Sequence, residues 1–423
     1  MRSVEDQLAI VVDAAPTPEP VRIGITDALG MMSAEEVVAT RSVPGFAQAV
    51  VDGYAVRSVD LGGTQGISNK NSPREEVPQA ERSFPVVGEV AAGSQKPLRL
   101  QPRQAVRVAT GAPIPTLADA VLPLEWSDRG KKRVTATRPV QSGDFIRKEG
   151  ADIQPGDIAV TSGAVLGPAQ IGLLAAAGRD KVLVYPRPRV TVLSFGLELV
   201  DIDRNPGLGQ VFDINSYSLA AAAKEAGADV HRVGISNAEP RRLREIINNE
   251  VARSEMLVIT GAVGGSGAEA IQKVLSEIGD IDTTRVAMHP GSTQGFGLLG
   301  EDRVPVFLLP SNPVSALVVF DVIVRPAIRT SLGKRVAERR SVQARALGHI
   351  SSIPGRRGYI RARLMRDADT RDYLVEGLSD TDGAPAHLLA GLAEANAMIR
   401  IPDDVVEVRP GDVVDVLFIQ QRS

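Results

Sequence analysis

The sequence predicts a multidomain α/β protein, on three observations. From residue 189 onward, apolar strand-like runs alternate with helical runs. Residues 84–140 carry only short β-type runs between Gly and Pro turns. Beyond about Lys334, alternating segments such as YIRARL and DVVDVLFI return to β. At about 150 residues to a domain, a chain of 423 residues should hold roughly three.

The elements follow in order. Residues 5–15 and 27–40 read as helical, separated by the proline-rich segment Pro16–Pro20. The polar stretch 60–83 reads as a mobile surface loop. The runs FPVVGEV, QAVRVAT and DAVLPLEW mark a small β-rich domain. A turn-rich segment from 141 leads to a helix over 168–177, with proline at its start and Gly178 after its end. Strands are then expected at 189–195, 229–235, 256–260 and 306–309. Helices are expected at 216–226, capped by Asn215 or Ser216, and at 240–253, 268–278 and 314–331. Strand–helix alternation of this kind argues for a parallel sheet with helices on both faces. A small β-domain closes the chain, and no fixed-period repeat is present.

Composition excludes several functions. A net charge of −3 and 4% aromatic residues leave neither a basic field nor stacking surfaces for nucleic acid. The absence of cysteine removes disulfides, thiolate metal sites and cysteine nucleophiles. The first twenty residues mix acids and prolines where a signal peptide needs an apolar core. The apolar run 304–326 is broken by Asn312, Asp321 and prolines, which argues against a membrane span. A cytoplasmic protein is expected, brought to a membrane only by a partner.

Candidate site residues stand in turns and at strand ends. Asp52 is either a turn aspartate or a carboxylate for a hard cation such as Mg²⁺. Thr110 ends a strand-like run with a free hydroxyl, and Asp119 suits a turn-stabilising role. Arg147 and Asp152 are either a solvated ion pair or an anion-binding fork with its carboxylate. Glu198 follows the first strand of the α/β region, where ligands of open sheets bind. The glycine-rich stretch 261–267, with Gly264, Gly265, Ser266 and Gly267, suits a phosphate cradle of backbone N–H groups, though any tight turn looks similar. Ser311 and Asn312 open a helix and offer further N–H groups.

These segments, in this order, resemble the molybdopterin molybdenumtransferase family, whose animal relative is the E domain of gephyrin. Val51-Asp52-Gly53-Tyr54-Ala55 is similar to the family's MDGYA, and 110–121 to its TGAPxPxGADAV. Residues 146–153 resemble IRxxGxDI, 188–199 resemble PRVxxLSTGDEL, and 209–221 resemble GQIxDxNSYxLAA. Residues 309–316 resemble LPGNPVSA, and LAEAN stands at 392–396. The resemblance implies an elongated α+β domain (1–41 with 141–180), an inserted β-rich domain (42–140), a three-layer α/β molybdopterin-binding-like domain (181–333) and a C-terminal β-barrel (334–423). It implies homodimers, with the site between the sheet domain of one subunit and the β-domain of the other. It also implies a reaction: molybdenum passes from molybdate to the dithiolene of adenylylated molybdopterin, AMP is released, and Mg²⁺ assists. On this resemblance Asp52, Thr110 and Glu198 would be catalytic, with Asp52 and Glu198 also metal ligands. Arg147, Asp152, 264–267, Ser311 and Asn312 would bind substrate.

One side of the family pattern is altered. Phe195 and Leu197 stand where a threonine and an aspartate are expected, and Glu269 falls near the place of another aspartate. His289 and Ser292 replace the two lysines of KPGKP, and Ser311 replaces a glycine. His289 on its own reads as a surface or loop histidine. The losses fall on the phosphate-binding side, so the expected function is a gephyrin-like dimeric scaffold. Its partner would be a peptide tail of a membrane receptor or of the tubulin-like division protein FtsZ, held near the junction of the α/β domain and barrel. The alternative is an active molybdenumtransferase, with Arg285, His289 or backbone N–H groups in place of the lysines.

Overall fold

The computed structural model describes residues 1–62, 82–96, 98–235, 239–264, 267–334, 337–378 and 389–419. Most of the expected loop 60–83, and Gly265 and Ser266, therefore lie outside the described residues. The chain forms two compact units, residues 22–183 and residues 1–21 with 184–423.

In the first unit, a five-stranded sheet runs in the order Ala120–Pro123, Gly53–Val56, Ala105–Val108, Ser83–Val90, Arg133–Thr135. Its two faces differ. Tyr54, Phe84, Leu122 and Val134 fill one core, and Ala55, Val106, Val108 and Val121 the other, as strand alternation requires. The sheet is an insertion. Its flanks meet each other, with Gln48–Ala49 pairing Ile146–Arg147 and Val37–Val38 pairing Ile158–Val160. The helix expected over 27–40 does not form. Gly30 turns the chain at φ +78°, and the short strands Met32–Ser33 and Val37–Val38 bury Met32 and Val37. Pairing with distant strands overrides the local helical tendency there. The helix Pro168–Ala176 forms as expected.

The second unit holds a six-stranded sheet in the order Asp229–Ile235, Arg189–Ser194, Met256–Val263, Val304–Pro310, Gly295–Leu299, Gly279–Asp282. The first four strands are parallel. The other two, at positions where the sequence marks no strand, are antiparallel. They are short and glycine-containing: at Gly279 and Gly297 a Cβ would lie within 2.4 Å of a neighbouring strand's carbonyl. Helices cover both faces. Val190, Val192, Met256, Val258, Phe307 and Leu309 pack toward Asn215–Ala226 and the helix from Pro313. Leu193, Leu257, Ile259, Val306 and Leu308 face Pro240–Arg253 and Ala268–Ser276.

The helix expected as one piece over 314–331 is three: Pro313–Val319, a π-helical turn Phe320–Val324, and Arg325–Ser331. Asp321, partly buried, sits on the π turn. Arg339 clamps Asp321 and Glu225 and donates to the Ile419 carbonyl at 2.8 Å, tying these helices to the last strand of the C-terminal domain.

That domain is a closed barrel. Arg357–Arg366 pairs with Tyr373–Gly377, followed by Ser341–Ala346, Val413–Phe418 and Ala397–Ile401, which returns to Arg357–Arg366. Each of these five strands pairs on both sides, though Ser341–Ala346 meets Tyr373–Gly377 only at Arg345 and Ala346. The N-terminal helix Val4–Asp13, capped by Ser3, buries Val4 and Val11 in the same core as Tyr359, Met398 and Leu417 of the barrel. No described helix is long and apolar enough to cross a membrane.

Candidate active site

In the unit 22–183, the structure brings Asp52 and Thr110 together. Asp52 Oδ1 accepts the Thr110 backbone N–H at 2.7 Å and its hydroxyl at 2.9 Å. These two bonds, the backbone one first, hold the exposed carboxyl below its ordinary range, with the Arg107 charge adding to them. Asp52 is thus a fixed anion. Two donors engage Oδ1, and none of the described residues bonds Oδ2. Arg147 and Asp152 form the ion pair that their spacing allowed. Asp119 binds Ser58 through its backbone N–H (2.6 Å) and its hydroxyl (2.7 Å), so it builds the turn beside the strand Gly53–Val56.

In the other unit, the chain places Arg189–Ser194 between Asp229–Ile235 and Met256–Val263. The strand order reverses there, and the loops leaving the carboxyl ends at such a reversal form the binding crevice of open α/β sheets. The described residues there are 195–198, Gly264 and Gly267. The glycine-rich stretch starts later than the expected 261, because the strand continues to Val263. Phe195 is buried and its ring abuts Gly267. A Cβ at Gly267 would stand 2.8 Å from the ring, on a backbone with φ +87°. Leu197 is exposed. The Glu198 carboxylate folds over Gly196, both oxygens 3.1 Å from where a Cβ would stand.

Two more loops converge on Gly264. The Ser311 hydroxyl donates to the Gly264 carbonyl at 3.3 Å, and a Cβ on Gly264 would stand 3.9 Å from the Thr293 methyl. Asn312 accepts the Ser315 N–H at 3.0 Å and caps its helix; Pro313 has no N–H, so Val314 supplies the one earlier helical donor beside that of Asn312 itself. Buried Gln294 donates to the Gly291 carbonyl at 2.9 Å and to the Met288 sulfur at 3.2 Å, holding the turn that carries Ser292. Gly291 is required there, since a Cβ would meet Val319 at 2.3 Å.

His289 is not a surface histidine. It is partly buried on the two-residue strand Met288–His289, in parallel register with Arg357–Gly358 of the barrel. Burial, then the nearby Arg356 charge, pushes its pKa below 6.5. Arg356 thus supplies a cation beside the position where the family pattern has lysine. Reading motifs alone missed it, because only the strand pairing brings 356 to 289.

Asp213 was also missed. It is buried, accepts the Ser194 hydroxyl at 2.8 Å and the Ser216 N–H at 3.0 Å, and binds the Ser216 hydroxyl. The N-cap position is Ile214, which has no capping side chain, so neither Asn215 nor Ser216 caps the helix; Asp213, one residue before it, accepts the first-turn Ser216 N–H instead. A carboxylate two residues before an Asn-Ser helix start was the available signal.

Known proteins match this architecture throughout. Residues 2–178 match the model of the MoeA N-terminal region (domain I and II), 191–330 that of a probable molybdopterin binding domain, and 343–419 that of the MoeA C-terminal region (domain IV). Molybdopterin molybdenumtransferase 1 of Mycobacterium tuberculosis is 55% identical, covering 100% of both chains. The chain belongs to the molybdopterin molybdenumtransferase family. Molybdopterin molybdenumtransferase 2 of the same species is 34% identical, covering 98% of this chain and 99% of that one. A crystal structure of the molybdopterin biosynthesis MoeA protein from Pyrococcus horikoshii superposes with a TM-score of 0.79 at 28% identity, over 99% of each chain. Within this family, the residues read as altered from its pattern are Phe195, Leu197, His289 and Ser292.

The described residues contain no cluster of three or more metal-ligating side chains. Asp52 and Glu198 belong to different units. Asp52 alone fits Mg²⁺, which takes one or two carboxylates and completes its shell with water and substrate phosphate.

Proposed function

We propose that this protein is a working molybdopterin molybdenumtransferase, which inserts molybdenum from molybdate into adenylylated molybdopterin and releases AMP. This reverses the order of the two readings drawn from the sequence. The observation that carries it is the wall around Gly264. Where lysines are missing, three loops still converge, a helix start still presents N–H groups, and Arg356 provides a cation beside His289. Full-length identity of 55% to a molybdenumtransferase supports the same reading. Backbone N–H groups and one guanidinium suffice to hold an oxyanion. Asp52, fixed as an anion by Thr110, would hold Mg²⁺, which supplies charge neutralisation at the substrate phosphates. The deciding experiment is rescue of molybdoenzyme activity in a strain lacking its own molybdenumtransferase. Growth to the level given by an authentic transferase is expected, and failure at equal expression of folded protein rejects the proposal.

A homodimer is part of this proposal. Leu197, Ile202, Leu208, Val211 and Phe212 are exposed within one short stretch, an apolar surface suited to a second copy. Light scattering should give twice 44.8 kDa.

A second reading, the peptide-binding scaffold, is favoured by one observation. A cavity of about 930 Å³ lies on the barrel beside the N-terminal helix, lined by Glu5, Arg357, Arg400, Val405, Glu407 and Asp415. An extended peptide with both charges and an apolar anchor suits it. Binding of a division-protein tail peptide, abolished by Arg400→Glu, would support this reading, and no binding at 100 µM (about −5.5 kcal/mol) would reject it.

A further inference from the structure

We infer that the His289 imidazole accepts the proton of the water that cleaves the phosphoanhydride of the adenylylated substrate. The inference rests on the transferase reading and goes beyond it, because a charged lysine at this position accepts no proton.

Three features of the structure support it. First, place: His289 begins the turn 289–293, which packs on Gly264 through Thr293 and on the helix Pro313–Val319 through Gly291. The turn that His289 leads into therefore reaches Gly264, in the loop read as holding phosphate. Second, availability: the imidazole is partly buried, and neither ring nitrogen bonds any described residue. Third, the surrounding charges. The elements packed against Met288–His289 bring Arg356 and Arg357 from the barrel, with Glu5 bound to Arg357, and Arg2, bound to Asp282, from the segment bridging Val286. Arg357 and Arg2 thus have carboxylate partners. Arg356 bears directly on the imidazole, and no carboxylate stabilises its protonated form. The ring is neutral at pH 7, with a lone pair beside a guanidinium suited to phosphate oxygens.

The step balances. The water oxygen bonds to the adenylyl phosphorus, and the anhydride P–O bond to the pterin phosphate breaks, that phosphate taking the electron pair. The water proton passes to His289, which returns it to solvent. The products are AMP and the terminal phosphate of molybdopterin.

AMP release by the full chain, with adenylylated molybdopterin and molybdate, should be followed from pH 5 to 8.5 for wild type, His289→Gln and His289→Lys. Alongside, NMR should follow titration of the His289 ring. Wild type is expected to climb to a plateau, with an inflection below pH 6.5 matching the ring's own titration. His289→Gln should lose about 10²-fold at pH 7 and the acid limb with it. His289→Lys should do no better. A lysine variant equal to wild type, a glutamine variant that keeps the limb, or a ring titrating above 6.5 would each overturn the inference. Wild type releasing no AMP would instead reject the transferase reading on which it stands.

Discussion

The two walls that carry the candidate chemistry are built differently. The wall around Asp52 relies on side chains: one carboxylate fixed by one threonine, through backbone and hydroxyl together. The wall around Gly264 relies on backbone: a capped helix start, a turn pinned by Gln294, and glycines whose missing Cβ atoms make room for Phe195 and Val319. In the first wall, the residues of the family pattern remain. In the second, lysines, a threonine and an aspartate have given way. A site made of backbone groups tolerates changes in side-chain identity so long as loop geometry persists, whereas a site made of one carboxylate does not.

Mutations can break or sharpen this contrast. Asp52→Ala removes the single anion of its wall and should lower AMP release by about 10²–10³-fold, by analogy with loss of one preorganised polar group. If activity falls less than tenfold, the side-chain wall is not the essential one. Arg356→Ala removes the cation beside His289. It should weaken oxyanion binding by about 10–100-fold, read in KM for the substrate, and let the His289 pKa rise. Thr110→Val keeps the shape but not the hydroxyl. It should reduce turnover by up to about tenfold and move the Asp52 pKa up toward 3.8. The sign follows from the lowered pKa: Asp52 is ionised to lower pH in wild type, so acid inactivation in the variant should begin at higher pH. The backbone wall answers to stability. Gly267→Ala forces a side chain into φ +87° against the Phe195 ring and should cost about 1–3 kcal/mol in urea unfolding. Asn312→Ala deletes a helix cap and should cost about 1 kcal/mol. Activity lost in proportion to stability in these two variants would confirm that geometry is what that wall contributes.

Much of this was legible in the sequence, for stated reasons. The central parallel strands Met256–Val263 and Val304–Pro310 are apolar runs buried on both faces, and they stand where periodicity puts them. Asp52, Thr110 and the pair Arg147–Asp152 are legible in the sequence as site residues, whereas only the fold makes Asp52 and Thr110 partners. Two kinds of feature were not legible. Short strands such as Gly279–Asp282 and Met32–Ser33 are set by partners far along the chain, not by their own composition. Arg356 has no local signal, because it reaches His289 only through the pairing of 288–289 with 357–358.

That pairing has a consequence for how this protein could be cut and rejoined. A two-residue strand from the turn beside Gly264 is laid onto the longest strand of the barrel. The barrel is therefore not a detachable cassette: a chimera that exchanged 341–419 alone would present a foreign edge to residues 288–289 and turn His289 by a register step. Recombinants that carry 286–294 along with their own barrel should keep the histidine in place, so inheritance at this joint runs in blocks that ignore the domain boundary.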